Sequence, residues 1–229
     1  MSDKLTDCIV CDRKAECFKY LSDEELAQFD NNKSTVHYKR GETIIKQGTE
    51  FTHVVSFNAG LAKLNVEVSM KKNVMIGIIK PSEILGGPGM FDNNKYSFSV
   101  TALTESTICL INVEVFKKMI RVNEKFAETF LSSFSSRYTE AINRLVSISH
   151  RHMNGRIAEA LLYISEKIYK TDLFELPMTR QELADYTGTS KESISRIFKD
   201  FSDDNLIEVQ GRAIKLLDKD KLHQIQTNG

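Results

Sequence analysis

The sequence predicts an α+β fold in which a β-rich region is followed by a long helix and a helical C-terminal region. Three observations predict it: short apolar runs separated by glycines before residue 112, a seven-residue apolar repeat after residue 123, and a helix-turn-helix pattern at 178–201. The chain has 229 residues, of which 41% are hydrophobic, so it is long enough for two packed domains.

The β-rich region extends from Ser34 to Asn112. Apolar or alternating runs occur at 53–57, 61–68, 74–80, 98–103 and 107–112. Glycines such as Gly60 and Gly86 accompany these runs. Many short strands joined by glycine-rich turns are typical of a barrel or a sandwich.

A long helix follows, with Asn123 as its N-cap and Glu124 favouring the positive end of the helix dipole. Apolar residues then recur at alternating spacings of four and three, which is an a/d seam over three heptads. This spacing favours a helix that pairs with its copy in a parallel homodimer; a helix packed on its own domain is the alternative. The seam consists of Ala127, Leu131, Phe134, Tyr138, Ala141, Leu145 and Ile148.

Residues 178–201 carry the pattern of a helix-turn-helix. Two capping boxes, Thr179…Glu182 and Thr189…Glu192, mark the starts of two short helices. The small Ala184 lets the helices cross closely, Gly188 can adopt the positive φ of the turn, and Ile194 packs back.

The second helix separates an apolar face from a polar one. Ile194, Ile197, Phe198 and Phe201 form the inner face, whereas Lys191, Glu192, Ser195 and Arg196 point outward. Arginine and glutamate are side chains that read base edges in the major groove. The predicted DNA-contacting residues are Thr179, Arg180, Ser190, Lys191, Glu192, Ser195, Arg196, Lys199 and Arg212.

A hairpin over 206–217, with Gly211 in its turn, would form a wing that carries Arg212 and Lys215 toward phosphates. The charge balance gives no general affinity for DNA. The whole chain has 31 basic and 31 acidic residues, and residues 151–229 have 12 and 13, a net charge of −1. Binding therefore depends on a local patch and on dimerisation, and should be sensitive to salt.

Three of the four cysteines, Cys8, Cys11 and Cys17, lie within ten positions near the N-terminus, and the fourth is Cys109. The N-terminus has no apolar stretch typical of a secretion signal, and no run is long enough to span a membrane, so we expect a cytoplasmic protein. Because cytosolic thiols are kept reduced, the cluster indicates metal or redox chemistry more than a structural disulfide.

Together these features resemble the Crp/Fnr superfamily of bacterial transcription regulators over nearly the whole chain. The resemblance implies an N-terminal cyclic-nucleotide-binding-like β-roll, a long dimerisation helix and a C-terminal winged helix-turn-helix, with RNA polymerase as a partner. We divide the chain accordingly into a cysteine-rich segment (1–20), a β-roll sensor domain (21–122), a dimerisation helix (123–149) and a DNA-binding domain (150–229).

The residues argue against cyclic AMP as the signal. Members that bind it carry a Gly-Glu pair and an Arg-Ser pair, for the ribose and the phosphate. Here Gly86-Gly87 and Tyr96-Ser97 stand in those places, and no arginine occurs between Gly41 and Ile120. A buried phosphate without a guanidinium partner would be poorly compensated, so cyclic AMP is not expected.

The cysteines resemble those of the oxygen-sensing branch, the fumarate and nitrate reductase regulators. That branch uses the spacing C-x2-C-x5-C, with a fourth cysteine near the end of the roll, to hold a 4Fe–4S cluster. The resemblance implies that Cys8, Cys11, Cys17 and Cys109 are its ligands. Zinc held by four cysteines, a thiol redox switch, or a vestigial loop with no metal are the alternatives.

The recognition helix resembles the same branch. Glu192, Ser195 and Arg196 follow the pattern E-x-x-S-R, which implies an inverted-repeat site with TTGAT-like half-sites. Lys191 departs from that branch. We expect no enzyme, because the chain has no nucleophile-and-base set and no phosphate loop. The five histidines are scattered, and a small-molecule effector in the β-roll is the alternative to cysteine-based sensing.

Overall fold

The computed structural model describes residues 7–69 and 72–228, and the chain forms two compact units, 1–139 and 140–229. The first six residues of the predicted cysteine-rich segment, and Gly229 at the end of the predicted DNA-binding domain, lie outside the described residues. The boundary between the units falls inside the long helix, which therefore contributes residues to both.

Two short helical elements precede the first sheet. A 3₁₀ turn spans Glu16–Tyr20, and helix α1 spans Asp23–Asp30. The helix begins where it does because Ser22 and Glu25 form a capping box, in which each side chain accepts a hydrogen bond from the other residue's backbone N–H. The sequence patterns discussed above did not predict these elements.

The β-roll consists of two four-stranded antiparallel sheets. The first has the order β1-β8-β3-β6 and the second the order β2-β7-β4-β5. The five predicted runs correspond to strands, whereas three short strands, β1, β2 and β6, were not singled out. The strands are β1 (Lys33–Tyr38), β2 (Thr43–Ile45), β3 (His53–Ala59), β4 (Ala62–Ser69), β5 (Lys72–Ile79), β6 (Ile84–Leu85), β7 (Ser99–Ala102) and β8 (Ser106–Asn112).

Two helices follow the roll. Helix α2 spans Val113–Val122 and helix α3 spans Glu124–His150. Asn123 caps α3 as predicted, since its Oδ1 accepts a hydrogen bond from Phe126 N at 3.0 Å. Buried aromatic rings pack the first turns of α3 against the rest of this unit: Phe126 lies 5.1 Å and Phe130 lies 5.0 Å from Phe116, in edge-to-face pairs.

The second unit is mostly helical. Its helices are α4 (Met153–Tyr163), which continues as a π-helical segment Ile164–Tyr169, α5 (Arg180–Thr187), α6 (Lys191–Asp203) and α7 (Lys219–Asn228). The predicted wing is present as β10 (Ile207–Gln210) and β11 (Ala213–Leu216), with Gly211 at a φ of +61° in the turn. An unpredicted strand, β9 (Leu173–Glu175), pairs with β11 and completes an antiparallel sheet.

Candidate nucleic-acid interface and cysteine site

Helices α5 and α6 form the predicted helix-turn-helix. Thr179 and Glu182 make a capping box at the start of α5. Gly188 ends α5 with a φ of +62°, a conformation that a side chain would strain. Ala184 is buried at the crossing, and its carbonyl accepts hydrogen bonds from Gly188 N and, at 2.9 Å, from Thr189 N. These contacts determine the angle at which α6 leaves the turn.

The start of α6 differs from the prediction by one residue. We predicted a capping box formed by Thr189 and Glu192, but the N-cap is Ser190, whose Oγ accepts a hydrogen bond from Ser193 N at 3.1 Å. Thr189 Oγ1 lies 3.0 Å from Thr187 Oγ1 instead. Threonine and serine can both accept a hydrogen bond from the first turn of a helix, so Thr189 and Ser190 are chemically equivalent caps. The turn at Gly188 places Ser190, not Thr189, next to the first N–H groups of α6.

Helix α6 separates its faces as predicted. Ile194, Ile197, Phe198 and Phe201 are buried. The outward residues Lys191, Glu192, Ser195, Arg196 and Lys199 are exposed. Among them, Ser195 Oγ donates a hydrogen bond to Lys191 O at 3.2 Å. A hydrogen bond from its own backbone N–H lowers the pKa of Glu192, which favours the ionised form that accepts from a base.

Two predicted DNA-contacting arginines have partners inside the protein. The Arg180 guanidinium lies 3.9 Å from the centre of the Phe198 ring, in a cation–π contact. Arg212 Nη2 donates a hydrogen bond to Leu176 O at 2.6 Å. Both side chains support the inner structure of the unit, so a contact of either with DNA requires these interactions to be shared or released.

The predicted seam of α3 is largely exposed. Leu131, Tyr138 and Leu145 expose 58%, 65% and 66% of their surface, and Phe134 and Ala141 are also exposed. Ala127 and Ile148, at the two ends, are half-buried. Two further apolar residues, Ile142 and Val146, expose 42% and 51% and were missed because they lie outside the strict a/d spacing. A contiguous exposed apolar face of this kind marks an interaction surface.

Three of the four cysteines line one small cavity in the first unit. Cys8, Cys11 and Cys109 share a space of about 20 Å³, which holds about one water molecule. Cys109 lies on the central strand β8, opposite Thr35 of β1 and Ser56 of β3. The first sheet therefore forms one wall of the cavity, and the N-terminal segment forms the opposite wall. All four cysteines are free thiols.

Cys8 is held by an ion pair that the sequence analysis did not identify. Its backbone N–H donates to Asp30 Oδ1 at 2.9 Å, and Lys33 Nζ, which is paired with Asp30, donates to Cys8 Sγ at 3.2 Å. The Lys33 side chain is only 4% exposed. Burial, together with the hydrogen bond with Asp30, raises the pKa of the Cys8 thiol to about 12, against the opposing effect of Lys33.

Cys11 and Cys109 are also held by neighbours. Asn58 Nδ2 donates to Cys11 Sγ at 3.4 Å, and Thr35 Oγ1 lies 3.7 Å from Cys109 Sγ. Burial raises the pKa of Cys109. Asn58 Oδ1 is buried and has no hydrogen-bond partner among the described residues. This amide oxygen needs a hydrogen-bond donor, and the cavity has room for one water molecule that would supply it.

Cys17 lies apart from this cavity, in the 3₁₀ turn. It is 1% exposed, and burial raises its pKa to about 12. The residues that follow it contact the start of α3: the Phe18 ring lies 5.7 Å from Phe126 in an edge-to-face pair, and Asn123 Nδ2 donates to Tyr20 O at 3.1 Å. The same asparagine side chain thus caps α3 and holds the end of the cysteine segment.

The cysteines fit an iron–sulfur cluster in donor type but not in the arrangement described. Four thiols are the donor set that a 4Fe–4S cluster requires. Within residues 7–69 and 72–228, however, no three His, Cys, Asp or Glu side chains are placed to hold a metal ion. A space of about 20 Å³ is too small for a cluster of eight atoms, and Cys17 does not line it. Binding of a cluster by all four cysteines would require the N-terminal segment to rearrange.

The region that replaces a cyclic-nucleotide site is packed with aromatic side chains. Tyr96 is buried, its ring lies 4.5 Å from Phe51, and its hydroxyl donates to His53 O at 2.7 Å. A Cβ added at Gly87 would lie 3.0 Å from the Phe98 ring. Tyr96 and Gly87 therefore contribute to the packing of the roll and present no charge to a phosphate.

Comparisons with known proteins agree with this architecture. Residues 35–123 match the family described as cyclic nucleotide-binding domain, and residues 155–225 match the Crp-like helix-turn-helix domain. The transcriptional activator protein FnrL of Cereibacter sphaeroides is 27% identical over 214 residues, which cover 90% of this chain and 84% of that protein. FnrA of Stutzerimonas stutzeri is 26% identical over 184 residues, covering 79% of this chain and 75% of that protein.

Solved structures share the fold. FixK2 from Bradyrhizobium japonicum has a TM-score of 0.78 and 17% identity over 84% of this chain and 96% of that one. A Crp/Fnr-family regulator from Eubacterium rectale has a TM-score of 0.74 and 16% identity over 93% of this chain and 98% of that one.

A cyclic-nucleotide-binding-like roll joined through a long helix to a winged helix-turn-helix defines a class of transcription regulator. This chain belongs to the Crp/Fnr family of that class, whose members bind DNA and dimerise.

The relatives named above are transcription regulators and not enzymes. Among the described residues, we find no helix that is long and apolar enough to cross a membrane.

Proposed function

We propose that this regulator reads an inverted repeat of TTGAT-like half-sites through the exposed face of α6. The observation that supports it is the separation of the two faces of this helix: four apolar side chains are buried, and the polar ones are exposed, where base edges can reach them. Arg196 and Glu192 supply the donor and acceptor that such a sequence requires. RNA polymerase is the further partner that we expect, and the cytoplasm is the compartment.

The half-site assignment is tested by changing bases in the DNA duplex and by replacing Arg196 in the protein. Each changed base in the half-site should cost about 1–3 kcal/mol in affinity, measured by fluorescence anisotropy with labelled duplexes. Arg196→Ala should lose the preference for the site, whereas Arg121→Ala, an exposed arginine in the other unit, should keep it. Equal affinity for the changed and unchanged duplexes would contradict the half-site assignment.

We propose that two chains pair through the exposed face of α3. Leu131, Phe134, Tyr138, Ala141 and Leu145 present an exposed apolar stripe on α3, and the exposed Ile142 and Val146 widen it. Pairing of this stripe with its copy would remove it from water. A dimer places two recognition helices about one DNA turn apart, which matches an inverted repeat.

We further propose that the cysteines sense oxygen or redox state. Support comes from the contact between the cysteine segment and α3: Phe18, next to Cys17, packs against Phe126, and Tyr20 is bonded to Asn123. A change in the position of Cys17 therefore reaches the N-terminus of the pairing helix through two residues. The coupling free energy between such sites is typically about 1–3 kcal/mol.

The group that we propose for Cys8, Cys11, Cys17 and Cys109 is a 4Fe–4S cluster, which would supply one-electron and oxygen chemistry when bound. A second candidate is a single zinc ion held by the cysteines, or a thiol switch. Zinc, like the cluster, would require the N-terminal segment to rearrange, whereas a thiol switch needs no metal site and is compatible with the small cavity. The packed interior beside Tyr96 disfavours sensing of cyclic AMP in the roll.

Metal analysis separates these candidates. Protein purified without oxygen should contain about four irons and four sulfides per chain, with a visible absorbance that bleaches in air. Replacing Cys17 by serine should abolish iron binding. Ser99→Ala is the control and should retain the iron, because Ser99 is a buried serine of the other sheet, on β7, and does not line the cavity. One zinc per chain and no iron would favour the second candidate.

A further inference from the structure

The second unit contains a cavity of about 660 Å³ between the start of α4 and helix α7. Arginine, lysine, histidine and amide side chains dominate its lining. None of the described residues that line it is acidic. The lining consists of Arg151, His152, Met153, Asn154, Arg156, Lys221, Gln224 and Ile225.

Basic side chains are placed here at the end of a helix where they are least favourable. Helix α4 begins at Met153, and its first turn contains no acidic residue. The first N–H groups of a helix lack partners within it, so this end carries a partial positive charge. The N-cap, His152, makes no side-chain hydrogen bond to these groups. Arg156 and Lys221 add positive charge to an end that is already positive.

Three lining side chains are cations, namely Arg151, Arg156 and Lys221, and within the described residues only Arg151 lies beside a carboxylate that offsets its charge. Arg151 Nη1 lies 2.8 Å from Glu159 Oε1, although this close pair does not have hydrogen-bond geometry. Arg156 donates only a long bond of 3.4 Å, from Nη1 to Ile148 O, and its buried Nε has no acceptor within the described part of the chain. Lys221 is exposed; its backbone N–H donates to Asp218 Oδ1 at 2.9 Å, but its Nζ forms no ion pair with a carboxylate of the described residues. Uncompensated donors around a helix N-terminus are what an anion requires.

We propose that this cavity binds phosphate, and that the phosphate belongs to the DNA backbone. The reason for choosing DNA is the position of Arg156. A Cβ added at Gly188 would lie 3.2 Å from Arg156 Nη1, so this arginine lines the cavity and also touches the turn that leads into α6. Backbone phosphates flank the groove that a recognition helix enters, and contacts to them position the protein. The inference rests on the proposed DNA-binding function and adds a second contact surface to it.

The test measures DNA affinity of the full chain against salt concentration, by anisotropy, for a duplex with the inverted repeat and for an unrelated duplex. Lys221→Gln removes an exposed cation, and Gln224→Glu places a carboxylate in the cavity. Lys170→Gln is the matched control, because Lys170 is an exposed cation of the same unit outside the cavity. Both cavity variants should weaken binding to both duplexes by roughly three- to tenfold, and Lys221→Gln should lower the salt slope by about one.

Two results would overturn the assignment. Cavity variants that bind both duplexes like the Lys170→Gln control would show that the DNA does not reach this cavity. Calorimetric binding of inorganic pyrophosphate that is lost in Lys221→Gln, with an unchanged salt slope, would assign the cavity to a free phosphorylated molecule instead. Failure of the proposed function is distinct from both, since the wild type would then show equal affinity for the two duplexes.

Discussion

The recognition helix and the cysteine segment differ in how completely the folded chain prepares them for their partners. Helix α6 has its cap, its buried face and its exposed donors in place, and every one of these features comes from residues within the same unit. Cys8 and Cys11 of the cysteine segment share with Cys109 of β8 a cavity that holds about one water, and Cys17 does not line it. The comparison indicates that the exposed face of α6 is already formed in the folded chain, whereas a cluster on the four cysteines would require the N-terminal segment to rearrange.

The largest expected effect tests the attachment of the cysteine segment. Phe18→Ala should destabilise the first unit by about 3–5 kcal/mol, because a ring that is 2% exposed and packed against Phe29 and Phe126 is removed. Urea denaturation measures this loss. Tyr20→Ala, at a site that is 47% exposed, is the control and should change stability by about 0.5 kcal/mol or less.

The second effect concerns pairing. Leu145→Glu should raise the dimer dissociation constant by about 100-fold or more, since each copy of the leucine contributes roughly 1.5–3 kcal/mol when it is buried. Sedimentation velocity over a range of concentrations provides the measurement. Val122→Glu introduces the same charge at a residue that is 64% exposed and precedes α3. If both variants dimerise equally well, the seam is not the interface.

The third effect tests the face of α6. Arg196→Ala should reduce affinity for the inverted repeat by about 1–3 kcal/mol and leave the dimer intact. Competition between specific and unrelated duplexes, together with sedimentation, measures both properties. A variant that keeps the wild-type preference would show that the recognition contact lies elsewhere.

The smallest effect compares two possible caps. Ser190→Ala should destabilise the second unit by about 1 kcal/mol, because it removes the acceptor for Ser193 N. Thr189→Ala should cost less, since its hydroxyl lies beside Thr187 and caps nothing. Thermal unfolding of the two variants, side by side, gives the answer. A larger loss for Thr189→Ala would restore the cap that the sequence pattern predicted.

These two regions also differ in how far they could be predicted. The helix-turn-helix follows from local rules, because its caps, turn and apolar spacing involve residues within a few positions of each other. Even there, Thr189 and Ser190 offered two adjacent caps that only the turn geometry distinguishes. The residues that contact the cysteines could not be predicted from the sequence. Asp30, Lys33 and Asn58 are separated from Cys8 or Cys11 by 22 to 47 positions and meet them only after the roll has folded.

The cavity beside α4 carried no sequence signal either. Arg156 and Lys221 are separated by most of the second unit, and the unit as a whole has a net charge close to zero. Only the packing of α7 against α4 brings these cations together. The fold concentrates positive charge at this one place without changing the total charge of the unit.

The most direct measurement of the central claim is the affinity of the oxygen-free protein for the inverted repeat, before and after exposure to air. We expect air to weaken binding by roughly 5- to 150-fold, the range of a coupling of about 1–3 kcal/mol, and Cys17→Ser to bind weakly under both conditions. Equal affinity in the presence and absence of air, with Cys17→Ser indistinguishable from the wild type, would contradict it.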